Sequence, residues 1–244
     1  MISDLVPVSV LNVFVKYADD LTAVVPELSD TPISVERQNI VNWSKDNKKM
    51  INLPKTKEAV IYRNARQKCK CSASFDDIEL IECFKLLGVF IDCHLNFNVH
   101  VTNILNASSQ RLYLLKLLQA QGLSRQALSV IYEALVVNKV RYCISAWGGF
   151  INNEQVDRFN SLFRRAKRYG YSNNVFDFNG LLFQSDSRLF KKLQNEHHCI
   201  HHLLPSTVSY QTELRERGHN YPFPFTKFSL TQKSFIPRVL RTFS

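Results

Sequence analysis

The chain has 244 residues, of which 45% are hydrophobic, so it is long enough to bury a sizeable core in one large domain or two small ones. No apolar run approaches the roughly 18 residues of a membrane span, and the first residues do not resemble a signal peptide. The six cysteines are too sparse for a disulfide framework. We therefore expect an intracellular protein, cytoplasmic or nuclear, that is neither secreted nor bound in a membrane.

The formal net charge of +10 is concentrated in the second part of the chain. Residues 1–100 hold 12 Lys+Arg and 13 Asp+Glu, whereas residues 101–244 hold 19 and 8. Such an excess attracts a polyanion such as RNA or DNA independently of its sequence. A solvated surface that promotes solubility explains the charge equally well, so the charge alone does not identify a partner.

Two adjacent carboxylates, Asp19 and Asp20, lie between an apolar run at 10–15 and another at 23–25. This pattern predicts a strand, a tight turn and a second strand, with the acidic pair at the turn. A carboxylate pair on a rigid turn suits Mg²⁺, and two such ions can clamp the oxygens of a phosphoryl transfer. The alternative is an ordinary hydrophilic turn. Asp76-Asp77 has no long strands on both sides, and we interpret it as a surface turn.

The rest of residues 1–93 is predicted to be mixed α/β. A helix is expected to start at Thr31-Pro32, with Ile33, Ile40 and Trp43 close to one face. A short strand is predicted at 59–62 and an exposed basic loop at 63–70. The segment from Cys83 to Ile91 is apolar enough for a buried strand or hairpin, in which Gly88 permits a tight bend.

From about residue 98 the apolar spacing becomes helical. A first helix is expected to stop at Gly122, a second to start after Ser124, and a third to run from Asn152-Asn153 to Gly170. Three amphipathic helices with short connections predict a small bundle. The third helix carries the best candidates for holding a phosphate backbone, the alternative being a solvated helix face. These candidates are Arg158, Arg164, Arg165, Lys167 and Arg168.

Residues 171–244 give weaker signals. A helix is predicted from about Ser187 to Leu204, and the tail that contains Pro222, Pro224 and Pro237 is expected to be irregular. His197, His198, His201 and His202 would lie one helical turn apart in pairs. Paired zinc ligands have this spacing, but no matching Cys/His cluster follows, so we favour a partly exposed helix face rich in histidine over a zinc site.

Several segments, in the same order along the chain, resemble the reverse transcriptases of non-LTR (LINE-type, jockey-like) retrotransposons. The four residues Tyr17-Ala18-Asp19-Asp20 resemble the catalytic box of that family. The downstream matches are the helix at 33–50, Asn52-Leu53-Pro54-Lys55-Thr56-Lys57, the hairpin at 84–92, and stretches at 141–148 and 234–238 that are similar to the thumb and carboxyl end.

The resemblance implies an α+β fold: a partial polymerase palm (antiparallel sheet with helix) at 1–93, an α-helical thumb at 94–170 and a mixed extension at 171–244. It implies that Asp19 and Asp20, with a third Asp, hold two Mg²⁺ ions. Lys55, or Lys57, would donate a proton to pyrophosphate. Tyr17, Leu87 and Gly88 would position the primer. The implied partners are an RNA template, a DNA primer or hybrid duplex, and deoxynucleotide triphosphates in the full-length enzyme.

The chain also departs from the family pattern. The third Asp and the fingers lie well upstream of the box in the family, whereas only 18 residues precede Asp19 here. Asp4 lies in a segment that resembles a later part of the palm, so it is not expected to be the missing ligand. We therefore expect a carboxy-terminal part of such an enzyme that does not polymerise alone. The alternatives are a non-catalytic module that binds RNA or DNA, and a remnant without function.

Overall fold

The computed structural model describes residues 2, 4–62, 75–207 and 219–244. It is an α+β structure with small two-stranded sheets and many helices. The chain divides into two compact units, residues 1–84 and 85–244, and the boundary falls within a strand. Within the described ranges, no helix has both the length and the apolar character needed to cross a membrane.

Residues 1–84 contain short strands and one long helix. The elements are β1 (Val13–Tyr17), β2 (Asp20–Val24), α1 (Ile33–Asp46), a 3₁₀ turn (Leu53–Lys55), β3 (Lys57–Glu58) and β4 (Glu79–Leu80). Strands β1 and β2 form an antiparallel hairpin, and β3 and β4 pair in parallel.

The sequence patterns in this unit are only partly confirmed. The first hairpin and the helix after Pro32 are present as predicted. The strand expected at 59–62 is wrong, because pairing in this region is limited to the two residues of β3. The surface turn at Asp76-Asp77 is confirmed, and Asp77 pairs there with Arg37. The basic loop predicted at 63–70 lies outside the described residues.

Helix α1 does not bury the face that its apolar residues suggested. Ile33, Ile40 and Trp43 are only partly buried, whereas the buried side chains of the helix are Glu36 and Ser44. The carboxylate of Glu36 therefore lies on the buried side of this helix. The reason is the set of hydrogen-bond donors that surrounds Glu36.

Residues 85–244 are predominantly helical. A second hairpin, β5 (Cys83–Leu86) and β6 (Val89–Asp92), leads into the helices. These are α2 (Asn98–Ala120), α3 (Arg125–Tyr132), a π-helical segment (Glu133–Val137), α4 (Asn138–Arg141), α5 (Ile144–Trp147), α6 (Asn153–Arg168), α7 (Phe178–Leu193), a 3₁₀ turn (His201–Leu203), α8 (Ser229–Lys233) and α9 (Phe235–Thr242).

The predicted helix boundaries at Gly122, Ser124 and Asn152 are confirmed. Gly122 follows α2 with a positive φ of 86°, which glycine adopts without steric cost. The Ser124 hydroxyl accepts a hydrogen bond from the Ala127 N–H at 3.3 Å and so caps α3. Asn152 and Gln155 form a reciprocal capping box at the start of α6.

In a continuous helix after Ser124, Leu128 and Leu135 would share one face, but only one of them is buried. Leu128 is fully buried, but Leu135 is 40% exposed. The π-helical segment that follows α3 places extra residues in a turn and rotates the chain, so Val136 and Val137 point into the core instead. Together with Trp147 and the aromatic residues of α6 and α7, they form one large apolar core.

The carboxyl-terminal region contradicts two expectations. The helix predicted at 187–204 is α7, which starts earlier and already ends at Leu193. The region predicted to be irregular contains α8 and α9. Pro237 is the third residue of α9, where its missing N–H costs no intrahelical hydrogen bond.

A buried ion pair anchors helix α9. The Arg238 guanidinium donates to both carboxylate oxygens of Asp186 at 2.8 and 3.0 Å, and to the Ser145 carbonyl at 2.8 Å. A methyl group at Gly149 would collide with the Arg238 guanidinium and the Lys233 carbonyl. The glycine therefore leaves the space in which Arg238 joins α9 to α7.

Candidate functional site

The acidic pair lies at the tip of the first hairpin. Tyr17 pairs with Asp20, which leaves Ala18 and Asp19 as the two turn residues. Ala18 has a positive φ of 51°, a conformation that suits a two-residue hairpin turn. Both carboxylates are exposed. The strand–turn–strand arrangement predicted from the sequence is therefore confirmed, with the acids at the turn and the first position of β2.

One face of this hairpin is apolar and exposed. Cross-strand partners share a face, so Tyr17 lies beside Asp20, and Val13 lies beside Val24. Tyr17 is 62% exposed and Val13 50% exposed. Among the described residues, no group of three or more His, Cys, Asp or Glu side chains could hold a metal ion. The hairpin presents two exposed carboxylates at its turn, and the exposed Tyr17 lies on the same face as Asp20.

A buried carboxylate holds the start of this hairpin. Glu36 is fully buried and accepts hydrogen bonds from the N–H groups of Val8 and Ser9 at 2.9 and 3.2 Å. It also accepts from the Asn12 side-chain amide at 2.7 Å, and Asn12 directly precedes β1. Burial by itself raises the pKa of Glu36, but the hydrogen bonds from Asn12, Val8 and Ser9 outweigh it and lower the pKa below its ordinary value.

Sequence reasoning missed Glu36. The available signal was its spacing from Ile33 and Ile40, which places it on the same side of α1. A glutamate in the first turn of a helix is usually exposed and stabilised by the helix dipole. Its position therefore indicated burial only weakly.

Lys55 and Asp4 occupy different surroundings from the acidic pair. Lys55 ends a 3₁₀ turn capped by the Asn52 side chain, and its own side chain is exposed. Within the described residues no hydrogen bond or ion pair joins Lys55 to Asp19 or Asp20. Asp4 accepts a hydrogen bond from the Trp43 indole at 3.0 Å, which lowers the pKa of Asp4. The role proposed for Lys55 stays a prediction.

The second hairpin has an unusual turn at Leu87 and Gly88. Both residues have positive φ, 45° and 89° respectively. The Tyr142 hydroxyl donates a hydrogen bond to the Leu87 carbonyl at 2.7 Å. The ring of the same tyrosine lies 3.3 Å from the position that a Cβ at residue 88 would occupy. The tight bend predicted at Gly88 is therefore confirmed, and it lies against a residue that the sequence did not single out.

A second contact fixes this hairpin to α2. The Phe90 N–H donates to Nδ1 of His100 at 3.3 Å. His100 is buried, and its ring packs edge-on against Trp147 with centroids 4.9 Å apart. Burial, with a smaller contribution from Lys139, lowers the pKa of His100 to about 4. The imidazole is therefore neutral at pH 7 and acts as a hydrogen-bond acceptor for the hairpin.

The basic candidates lie on the outer side of α6. Its inner side packs Phe159, Phe163 and Ala166 into the core. Four arginines line a groove of about 970 Å³ between α6 and α2: Arg158, Arg164, Arg165 and Arg168. Lys167 is on the same helix and is exposed, but it does not line the groove.

The groove has a net positive charge, because four arginines and two acids line it. Arg165 donates a hydrogen bond to the Ser109 hydroxyl and Arg164 to the Ser161 hydroxyl, and neither acceptor is an acid. Among the described ion pairs, none involves an arginine of this groove. Glu154 and Asp157 line its other end and are the second and fifth residues of α6. The groove is thus strongly basic only toward the carboxyl end of the helix.

The histidine-rich segment does not form a helix face. After α7 ends, the Asn195 side chain accepts a hydrogen bond from the His197 N–H, and His201 binds the Leu193 carbonyl at 2.8 Å. The chain turns at these contacts, so His197 and His201 are not one helical turn apart. The interpretation as a histidine-rich helix face is therefore wrong.

Comparisons with known proteins gave no match to this chain, whether with models of protein families, with curated proteins or with solved structures.

Proposed function

We propose that this chain carries part of the catalytic core of an RNA-directed DNA polymerase of the non-LTR retrotransposon type. Residues 1–93 would contribute to the palm, 94–170 to the thumb and 171–244 to a carboxyl-terminal extension. The observation that carries the proposal is the first hairpin, whose two-residue turn presents Asp19 and Asp20 beside the ring of Tyr17. The second hairpin supports it, because Leu87 and Gly88 form its turn and Leu87 is exposed there.

Asp19 and Asp20 are the residues that would hold Mg²⁺. Both are exposed and supply only oxygen atoms, the donor type that this ion takes from proteins. When bound, the ion would neutralise charge on the phosphates and favour ionisation of the primer hydroxyl. Tyr17 would pack beneath the primer terminus. The arginines of α6 would hold the hybrid duplex through its phosphates.

Binding of Mn²⁺ as a paramagnetic probe for Mg²⁺ tests the metal site. We expect NMR signals of residues near the hairpin turn to broaden selectively when Mn²⁺ is added to the 244-residue chain. Asp19→Asn with Asp20→Asn should abolish this broadening and change the free energy of unfolding by less than about 0.5 kcal/mol, because both side chains are exposed.

The other adjacent pair of acids provides the matched control. Asp76→Asn with Asp77→Asn removes the same charge from a surface turn and should leave broadening at the hairpin intact. Equal broadening at both pairs in the unmodified chain would contradict a specific site. We also expect no primer extension by the 244-residue polypeptide alone, because the metal site of the family that it resembles includes a third carboxylate. Extension that Asp19→Asn abolishes would show that this expectation is wrong.

The arginine groove favours a second candidate function, a non-catalytic module that binds RNA or DNA. Arginines bind phosphates through charge and paired hydrogen bonds, and the groove concentrates four of them on one helix. This candidate requires the groove but neither Asp19 nor Asp20. The two candidates therefore differ in whether the acidic hairpin matters.

Neutralising part of the groove tests this candidate. Binding to an RNA–DNA hybrid should weaken at least about tenfold when Arg164→Gln, Arg165→Gln and Arg168→Gln are combined. The slope of log affinity against log salt concentration should also become shallower, by an amount that corresponds to the loss of up to about three phosphate contacts. Arg188→Gln, Lys191→Gln and Lys192→Gln remove the same charge from exposed positions on α7 and should have a smaller effect. Equal losses in the two triple variants would indicate nonspecific attraction rather than a binding groove.

A further inference from the structure

The tip of the second hairpin is held in a conformation that its own sequence does not favour. Leu87 has a positive φ, which costs a residue with a Cβ roughly 1 to 2 kcal/mol relative to ordinary backbone conformations. Leu87 is also 42% exposed, so burial of its side chain does not explain the conformation. Some other contact must stabilise this turn.

Tyr142 makes that contact. Its hydroxyl binds the carbonyl of the strained residue at 2.7 Å, and its ring lies against the backbone of Gly88. The backbone of Tyr142 is held in place as well, because its carbonyl accepts a hydrogen bond from the Trp147 indole at 3.1 Å. Trp147 is fully buried in the helical core. A chain of contacts thus runs from the core to the tip of an exposed hairpin.

Tyr142 occupies a position suited to this role. It follows the end of α4 and precedes Cys143, whose positive φ of 51° turns the chain before α5. The tyrosine side chain is 47% exposed although it is large and aromatic. The core would not require a ring there for packing, but a ring at this place covers one side of the turn.

We propose that Tyr142 is a positioning residue that sets the conformation of the Leu87-Gly88 turn for binding a recessed 3′ end of a nucleic-acid duplex. This inference rests on the proposed function, in which the turn positions the primer. It adds the residue that holds the turn in place. The turn would then be preformed before the nucleic acid binds, which reduces the entropy cost of binding.

The experiment compares two probes with the 244-residue chain. One is an RNA–DNA hybrid with a recessed DNA 3′ end, and the other is the same hybrid with both ends closed by loops. Tyr142→Phe keeps the ring and removes the hydroxyl. We expect it to lower the preference for the recessed end by about five- to tenfold, the size of one hydrogen bond, with little change for the closed probe. Amide hydrogen exchange at residues 86–90 should become faster.

Two glycine variants separate the tyrosine contact from backbone strain. Gly88→Ala places a methyl group 3.3 Å from the Tyr142 ring at a φ of +89°, and should reduce the same preference. Gly122→Ala introduces a methyl group at a φ of +86° with nothing within 4 Å, and should leave the preference unchanged. An equal loss in both variants would overturn the inference.

The remaining outcomes are also decisive. If the unmodified chain binds the hybrids but shows no preference for the recessed end, or if Tyr142→Phe leaves that preference intact, the inference fails while nucleic-acid binding stands. An equal loss for both probes in Tyr142→Phe would show a structural role only and would also overturn it. If the unmodified chain binds neither probe, the proposed function fails and this inference fails with it.

Discussion

Residues 1–84 and residues 85–244 are stabilised in different ways. In the described part of the first unit, the buried apolar side chains are Leu5 and Ile78, and the fully buried Glu36 organises the segment before the hairpin. The second unit buries more than twenty apolar residues in one continuous core. Apolar burial is the larger stabilising term in proteins, so the first unit depends far more on a few polar contacts.

This difference explains where the exposed apolar surface lies in the first unit. In the part of this unit that the structure describes, no further strand pairs with the first hairpin, and Val13, Val15 and Tyr17 are about half exposed on one of its faces. Such a hairpin is marginally stable by itself. In the second unit, by contrast, the exposed hairpin tip is tied to the helical core through Tyr142.

The two tryptophans allow each unit to be followed separately. Trp43 belongs to α1 in the first unit and Trp147 to the core of the second. Because these are the two tryptophans of the chain, Trp147→Phe leaves a fluorescence signal from the first unit and Trp43→Phe leaves one from the second.

The largest effect is expected for a core substitution in the second unit. Phe159 is fully buried and stacks on Phe178 with centroids 5.0 Å apart. Phe159→Ala should lower the free energy of unfolding by about 3–5 kcal/mol, because it removes apolar contacts and leaves a cavity. Chemical denaturation in the Trp43→Phe background measures it. Phe225→Ala removes a ring that is 95% exposed, and a comparable loss there would contradict the assignment of the core.

An intermediate effect is expected for Glu36→Ala in the first unit. Its removal leaves the N–H groups of Val8 and Ser9 and the Asn12 amide without their buried acceptor, at a cost of about 2–4 kcal/mol. Denaturation in the Trp147→Phe background should show this loss, whereas Glu27→Ala, which removes an exposed carboxylate, should not.

The same carboxylate predicts a pH dependence. Because the pKa of Glu36 is lower in the folded chain than in the unfolded chain, its contribution is present above the ordinary pKa of about 4.5 and is lost as the pH falls through the folded value. Unfolding followed by Trp43 fluorescence should therefore depend more strongly on acidic pH in the chain with Glu36 than in Glu36→Ala. An equal pH dependence in the two chains would contradict this prediction.

The smallest of the three effects is a pH dependence in the second unit. His100 has a pKa of about 4 when folded and about 6.5 when unfolded. The unfolded chain therefore binds more protons between these values, and stability should fall as the pH drops from about 6.5 toward 4. Between pH 7 and pH 5 the loss should be about 2 kcal/mol.

Replacement by a side chain that does not titrate tests this pH effect. His100→Gln keeps an acceptor near the Phe90 N–H and should flatten the pH dependence reported by Trp147. His197→Gln, at an exposed position, should leave that dependence unchanged. An unaltered pH profile in His100→Gln would show that another group is responsible.

Local patterns predicted the hairpin at Asp19 and Asp20, the bend at Gly88, and the ends of α2 and α6. Each depends on residues that are adjacent or one turn apart, such as the capping pair Asn152 and Gln155, so the sequence contains all the participants. The predicted strand at 59–62 and the histidine helix failed for the opposite reason. A strand forms only where another strand is available to pair with it. The end of a helix depends on contacts that compete with helical hydrogen bonds, such as the one between His201 and the Leu193 carbonyl.

The sequence by itself determined which segments form hairpins and helices and which of them carry the acidic and basic groups, because backbone preference and periodicity act over short distances. Only the tertiary structure decided that Glu36 is a buried acceptor, that Tyr142 holds the turn at Leu87, and that Arg238 reaches Asp186. Each of these contacts joins residues 24 to 55 positions apart. Their formation depends on how whole elements pack, and no local pattern in the chain encodes that.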